Sequence, residues 1–245
     1  MTAVVVGASS GLGRALAVEL ARNGHDLLLV ASDARDLAVL AADLHLRHAV
    51  RTESLAIDLA ASANPGARIL EALDGLPSPQ ALLLPVGMSR SDDDGSLAAA
   101  GIGQLLAINL HAPIAIAHAL LPALLDARGV IVGFGSIAGA RGRSRNIVYA
   151  AAKRGLQTYF ESLRHGHLPS ALRVQFHRLG FLRSNLTFGM KLPLPAAEPE
   201  AVARTVVASL GQGSFTRYQP RWWGLVALLV QSLPWFVTVI TKPAA

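Results

Sequence analysis

Short apolar runs alternate with longer amphipathic ones along most of the chain. Residues 3–6, 26–30, 54–57, 81–84 and 130–134 are compact runs dominated by Val, Leu, Ile and Ala. Runs of that length read as strands, and apolar side chains at successive positions read as strands covered on both faces. Between them, residues 12–22, 34–48, 66–74 and 103–125 space their apolar positions at helical intervals. A further helix is expected over 149–168 and a sixth strand over 173–177. Regular alternation of strand and helix predicts an α/β fold built on a doubly wound parallel sheet. No internal repeat or linker interrupts the series. The composition shifts only after Pro220, so residues 1–218 are expected as one domain and 219–245 as a hydrophobic C-terminal segment.

The first strand runs straight into a glycine turn. Residues 4–14 read VVVGASSGLGR, with Gly7, Gly11 and Gly13 between the strand and the helix that follows. Glycines permit positive φ and let backbone amides approach a diphosphate closely. The helix start adds free N–H groups and partial positive charge. Ser9 and Ser10 offer hydroxyl donors, and Leu12 completes the turn. With a strand before it and a helix after it, the pattern predicts a Rossmann-type dinucleotide site, where a bare glycine triplet would mark only a turn. After the second strand comes LLLVASDARDL. A carboxylate at that strand's end would bond the adenosine ribose and favour NAD(H). Here the strand ends in Ala31-Ser32, and Ser32, Arg35 and Arg14 are placed to meet a 2′-phosphate. NADP(H) is therefore expected over NAD(H). The plain alternative for Asp33 and Arg35 is a solvated helix start.

Composition narrows the class. With 245 residues the chain can bury a large single core, and 52% apolar against 16% charged residues excludes a disordered chain. The absence of cysteine excludes disulfides and thiolate metal sites. The net charge of +6 comes from scattered basic residues, the densest group being Arg141, Arg143 and Arg145, and nucleic-acid binding is not expected. The histidines form no metal constellation, since His165 and His167 would point to different faces of one helix. Asp92, Asp93 and Asp94 read as a solvated loop. A β-like run follows Met1 directly, so no signal peptide is expected and the domain is placed in the cytoplasm.

The candidate chemistry lies in NIVYAAAK, residues 146–153. Four residues apart on a helix, Tyr149 and Lys153 share a face. A phenol beside a fixed ammonium is a proton donor of lowered pKa, although idle helices carry the same pair.

Taken with GASSGLG at 7–13, IDL at 57–59, Gly87, Asn109 and Ser136, this stretch resembles the short-chain dehydrogenase/reductase family from residue 2 to about 210. The resemblance implies that Tyr149 is the general acid and Lys153 its partner, which also bonds the nicotinamide ribose. It implies that Ser136 orients the substrate carbonyl, and that Asn109 holds the catalytic helix and a proton-relay water. It also implies that Asp58, with Leu59, lies near the adenine. Two departures stand out. The family's Asn-Asn-Ala-Gly turn is LPVGM here, keeping only Gly87, and its Thr-Gly opening is Val6-Gly7.

The C-terminal third resembles the reductases of decaprenylphosphoryl-2-keto-ribose and their relatives, through the loop at 186–190 and the segment YQPRWW at 218–223. Residues 222–241 carry no charge and lie between Arg221 and Lys242. Twenty helical residues would be about 30 Å, enough to cross a bilayer. Gln231, Ser232 and Pro234 interrupt the run and favour attachment to the inner face of the cell membrane over spanning, with a buried dimer helix as the alternative. The expected function is an NADPH-dependent ketoreductase, acting on a lipid-linked keto-sugar or another hydrophobic carbonyl, and a homo-oligomer. The alternatives are a soluble acyl-carrier or small-alcohol dehydrogenase, and a dinucleotide-binding scaffold without turnover.

Overall fold

The computed structural model describes residues 1–168, 170–184, 187–189 and 192–234. Seven parallel strands form one sheet: β1 (Thr2–Val6), β2 (Asp26–Ala31), β3 (Thr52–Ala56), β4 (Pro79–Leu84), β5 (Val130–Ser136), β6 (Arg173–Leu179) and β7 (Phe215–Gln219). Their spatial order is β3-β2-β1-β4-β5-β6-β7. The chain therefore leaves β1 in one direction and restarts at β4 in the other. That reversal opens a crevice beyond the C-terminal ends of β1 and β4, where ligands of doubly wound sheets bind.

Helices cover both faces. On one side α1 (Gly11–Arg22), α2 (Ala34–His48) and α7 (Pro199–Ser209) bury Leu16, Leu20, Leu37 and Val206 against Val5, Leu29 and Val132. On the other, α3 (Pro65–Ala72), α5 (Ala112–Asp126) and α6 (Ile147–Gly166) bury Ile69, Ile116, Leu120 and Phe160 against Val4, Leu82 and Ile131. Each fully buried Leu or Phe contributes roughly 1.5–3 kcal/mol by leaving water. Gly133 in β5 has its own packing reason. A Cβ there would collide with the Phe160 ring, so the glycine lets α6 sit down on the strand that ends in Ser136.

The helix expected over 103–125 is two helices. α4 (Ala99–Leu106) passes through a π-helical turn, Ala107–His111, into α5. Pro113 has no N–H to return to the carbonyl four residues back, which favours the wider turn there. The stretch Ala99–Asp126 is long and apolar enough to cross a membrane, but its second half, α5, packs on α3 and β4 with Ile116, Leu120 and Leu124 buried. Strand β3 begins two residues before the expected run at 54–57, and α7 and β7 were not expected from the pattern.

The hydrophobic tail begins as α8 (Trp223–Ser232), ten residues, about 15 Å. Leu233 is extended ahead of Pro234, as residues before proline prefer. Residues 235–241, and with them the rest of the expected uncharged run, lie outside the described residues. Trp223 packs edge-on against Phe181 at 5.2 Å and over Gly180, where a Cβ would strike its indole. The opposite face is open: Leu225 is 73% exposed, and Leu228 and Leu229 share that face.

Candidate active site

The glycine turn takes the conformation its residues permit. Gly7 has φ +94° and Gly11 φ +49°, and the N–H groups of Gly7 and Ala8 donate to the carbonyl of Val30 at 2.7 and 3.1 Å. Gly13 has no room for a side chain, because a Cβ would collide with the Gly7 carbonyl; α1 is thus seated directly on the turn. Ser10 occupies the N-cap without a side-chain cap bond, which leaves its hydroxyl available to a ligand at the helix start.

From there a cleft of about 370 Å³ crosses the ends of the central strands. The glycine turn, Ser32, Asp58 and Leu59 line one end, and Gly87, Met88, Tyr149 and Lys153 the other. Asp58 turns its carboxylate back to the N–H of Ala60 at 2.9 Å. Two of the three residues expected around a 2′-phosphate are not in the cleft lining. Arg14 faces a separate groove with Arg22, Arg183, Glu198 and Arg204, because its place on α1 turns it away from β2. Arg35 is exposed at the first turn of α2. The Asp33 carboxylate accepts from the N–H groups of Arg35 and Asp36 at 2.9 and 3.1 Å, so it caps α2.

Asn109 sits fully buried in the π-helical turn. Its Oδ1 accepts from the Met88 N–H at 3.1 Å, and its Nδ2 donates to the carbonyls of Met88 at 2.8 Å and Leu105 at 2.9 Å. Among the described residues these bonds hold the Gly87–Met88 wall; the hold on α6 that the resemblance implies is not one of them. A Cβ on Gly87 would meet Asn109 Oδ1 and Lys153 Nζ at 3.4 Å, so this wall packs closely on both side chains.

Lys153 is 4% exposed. Its Nζ donates to the carbonyls of Val86 at 3.1 Å and Phe134 at 3.4 Å, and burial lowers its pKa to about 8. It lies 5.9 Å from the centre of the Tyr149 ring. The Tyr149 phenol hydrogen-bonds Ser136, whose Oγ also accepts from the Ala138 N–H at 3.1 Å. The sequence led us to expect a lowered pKa for Tyr149, and the structure reverses this. Burial raises it, and the Ser136 hydrogen bond and the Arg143 charge only partly offset the rise. Lys153 directs its protons to two carbonyls, so the cation acting on the phenol is Arg143. The phenol is accordingly held in its protonated form at neutral pH.

Arg141 of the basic cluster is used inside the protein, whereas Arg143 and Arg145 are exposed. Arg141 donates to the carbonyls of Val230 at 2.7 Å and Gln231 at 3.5 Å, and also to that of Leu233, closing the C-terminal end of α8. Gln231 returns a bond to the Ala140 carbonyl at 3.3 Å. The apolar tail is thereby latched to the segment between Ser136 and Tyr149. The acidic run is not a solvated loop throughout. Asp92 takes a bidentate bond from Arg90 at 2.9 Å and Asp94 accepts from Ser96, but Asp93 is buried beneath the start of α6. No local sequence signal marked it, because its partners are more than fifty residues away. Of the loop at 186–190, Leu186 and Met190 lie outside the described residues. Thr187 ties the rest back to Leu182 and Ser184.

Comparison with known proteins agrees with this geometry. The family model described as short chain dehydrogenase matches residues 1–191. The chain is 28% identical to a very-long-chain 3-oxoacyl-CoA reductase of Aspergillus fumigatus, over 98% of this chain and 70% of that protein. It is 28% identical to a 3-oxoacyl-[acyl-carrier-protein] reductase of Pseudomonas aeruginosa, over 86% of this chain and 84% of that one. A short-chain dehydrogenase from Sphingobium yanoikuyae, solved in complex with NADPH, superposes with a TM-score of 0.82 at 27% identity, covering 95% and 96% of the two chains.

Proposed function

The chain belongs to the short-chain dehydrogenase family and is an oxidoreductase, and from that premise we propose that it reduces a ketone on a long apolar substrate with NADPH. The observation that carries this reading is convergence. Tyr149 and Lys153 line one end of the cleft, with Ser136 hydrogen-bonded to the Tyr149 phenol, and the glycine turn lines the other end. NADPH, when bound, supplies a hydride to the carbonyl carbon. The developing alkoxide then needs a proton, and the Tyr149 hydroxyl gives it. Ser136 donates a hydrogen bond to the same carbonyl oxygen. Lys153 reaches the ribose hydroxyls from its seat between Val86 and Phe134. A phenol kept protonated by burial suits the direction of reduction.

For the cofactor, Ser32 lines the cleft where the adenosine ribose would lie, and the nearby Asp33 carboxylate is occupied as a helix cap. The Asp33 carboxylate is thereby turned to the start of α2 instead of toward a 2′-phosphate, and a rotation of the Arg35 side chain would bring a cation to it. Arg14 is not part of this set.

For the substrate, the similarity to 3-oxoacyl reductases favours a 3-oxoacyl thioester with a long chain. The open face of α8 and the uncharged run after it support attachment to the inner face of the cell membrane, so that the acyl chain stays near lipid. The attachment segment at 219–245 grows directly out of β7. A keto-sugar on a polyprenyl phosphate is the second reading, resting on the sequence resemblance of the loop at 186–190. NADPH oxidation should be measured with a long-chain 3-oxoacyl-CoA, a 3-oxoacyl carrier protein, a polyprenyl-phosphoryl keto-pentose and a small cyclic ketone. The reading expects the highest kcat/KM with the long-chain thioester. Turnover of the keto-pentose alone would select the second reading, and turnover of none would reject both.

A further inference from the structure

The first turn of α6 does not cap itself. Asn146, at the N-cap, has φ +54° and makes no side-chain cap bond. The N–H groups that follow are instead taken by one distant residue. The Asp93 carboxylate accepts from Val148 at 2.9 Å with one oxygen and from Tyr149 at 2.9 Å with the other, and its backbone carbonyl accepts from Ile147 at 3.3 Å. Asp93 is 1% exposed, so these bonds operate away from water, where charge-assisted bonds are strongest. The negative charge also sits at the positive end of the helix dipole. Arg143, in the loop that leads into α6, is charge-coupled to both the Asp93 carboxylate and the Tyr149 phenol.

Placement gives this cap its significance. Asp93 lies five residues after Met88, on the segment that begins as the cleft wall at Gly87. Asn109 fixes the Met88 end of that segment, and Asp93 fixes its far end to the backbone of Tyr149 itself. The two walls of the reacting end are thus tied through one short stretch of chain. We propose that Asp93 is a positioning residue, which sets the height of the Tyr149 hydroxyl over the cleft by holding the first turn of α6. The proposal rests on the reading of Tyr149 as proton donor. Asp93 touches neither substrate nor cofactor, and its effect is on geometry: a misplacement of about 1 Å at a reacting group can cost on the order of 100-fold in rate.

The test compares Asp93→Ala, Asp93→Asn and Tyr149→Phe with the wild type, using a long-chain 3-oxoacyl-CoA. Folded sites are counted by NADPH fluorescence titration, so that kcat is expressed per binding site. Asp93→Ala is expected to lose about 30- to 100-fold in kcat while the NADPH Kd moves less than about 2-fold. Asp93→Asn keeps one acceptor oxygen and should recover part of that loss. Should Asp93→Ala not fold, a reduced kcat per site in Asp93→Asn at unchanged Kd supports the positioning role in its place. Wild-type kcat per site in the Asp93 variants overturns the proposal, as does a loss of NADPH affinity matching the loss of rate. Tyr149→Phe separates the two levels. If it turns over like the wild type, the underlying reading of Tyr149 as proton donor fails. If it is inactive while Asp93→Ala is fully active, only the positioning role fails.

Discussion

Lys153 is buried as a cation, and that has a cost that pH should expose. Its pKa falls from the ordinary 10.5 to about 8 through desolvation. That difference disfavours the charged folded form by roughly 3 kcal/mol. Below pH 8 the lysine is protonated in both states and the folded protein carries the whole penalty. Between pH 8 and 10.5 the unfolded chain keeps a proton that the folded chain has lost, so stability rises with pH across that window. Lys153→Met removes the charge at similar length and leaves the Val86 carbonyl to water in the open cleft. At pH 7 the variant should be more stable by roughly 1–3 kcal/mol, the smaller figure if the Phe134 carbonyl stays unpaired. By pH 10 the advantage should have shrunk by roughly 2 kcal/mol, because the wild type has shed its proton. Urea unfolding of both proteins from pH 7 to 10 measures this directly, and the Tyr159 phenol, pushed up to about 12, cancels in the comparison. Parallel pH profiles, or a variant less stable at pH 7, would refute the account. The same variant should lose turnover and bind NADPH more weakly, the trade of stability against function expected at such a site.

Ser32→Asp should shift preference from NADPH toward NADH by placing a carboxylate against the 2′-phosphate, a change of about 10-fold or more in the ratio of dissociation constants. Tighter binding of NADH by the wild type would remove the premise. Deleting residues 221–245 should release the protein from vesicles of anionic lipid and impair long-chain substrates more than a small cyclic ketone. Because Arg141 closes α8 from the segment between Ser136 and Tyr149, some loss of rate on the small ketone is also expected. Full-length protein that ignores vesicles and behaves as a stable oligomer without detergent would replace the membrane reading by a dimer helix.

The central sheet was legible because its strands are buried on both faces and therefore read as unbroken apolar runs, as in TAVVV and DLLLVA. The edges were less so. β3 (TESLA) and β7 (FTRYQ) are half-exposed, and polar residues interrupt the signal that marks a strand, so β3 was placed two residues late and β7 was missed. The π-helical turn at Asn109 was hidden because periodicity over a long apolar stretch cannot register one widened turn. The glycine turn and the Tyr149–Lys153 pair could be found by spacing and context, since each lies on a local strand–turn–helix frame, whereas Ser136 was reached through the family resemblance. The direction of the Tyr149 pKa could not, because it depends on burial and on a lysine whose protons go elsewhere. Asp93 and Arg14 failed in opposite ways. One looked like solvent-facing charge and is the cap of α6; the other looked like a phosphate ligand and faces a different groove. Both depend on contacts across the fold, which composition and spacing do not carry.

The most direct measurement is single-turnover oxidation of bound NADPH by a long-chain 3-oxoacyl-CoA in wild type and Tyr149→Phe, with NADPH affinity determined on the same samples. The account predicts unchanged NADPH affinity and a rate lower by about 1,000-fold or more in the variant, since removal of the phenolic proton forfeits a general acid's typical 100- to 10,000-fold contribution. A variant that binds NADPH and reduces the ketone at the wild-type rate would contradict it.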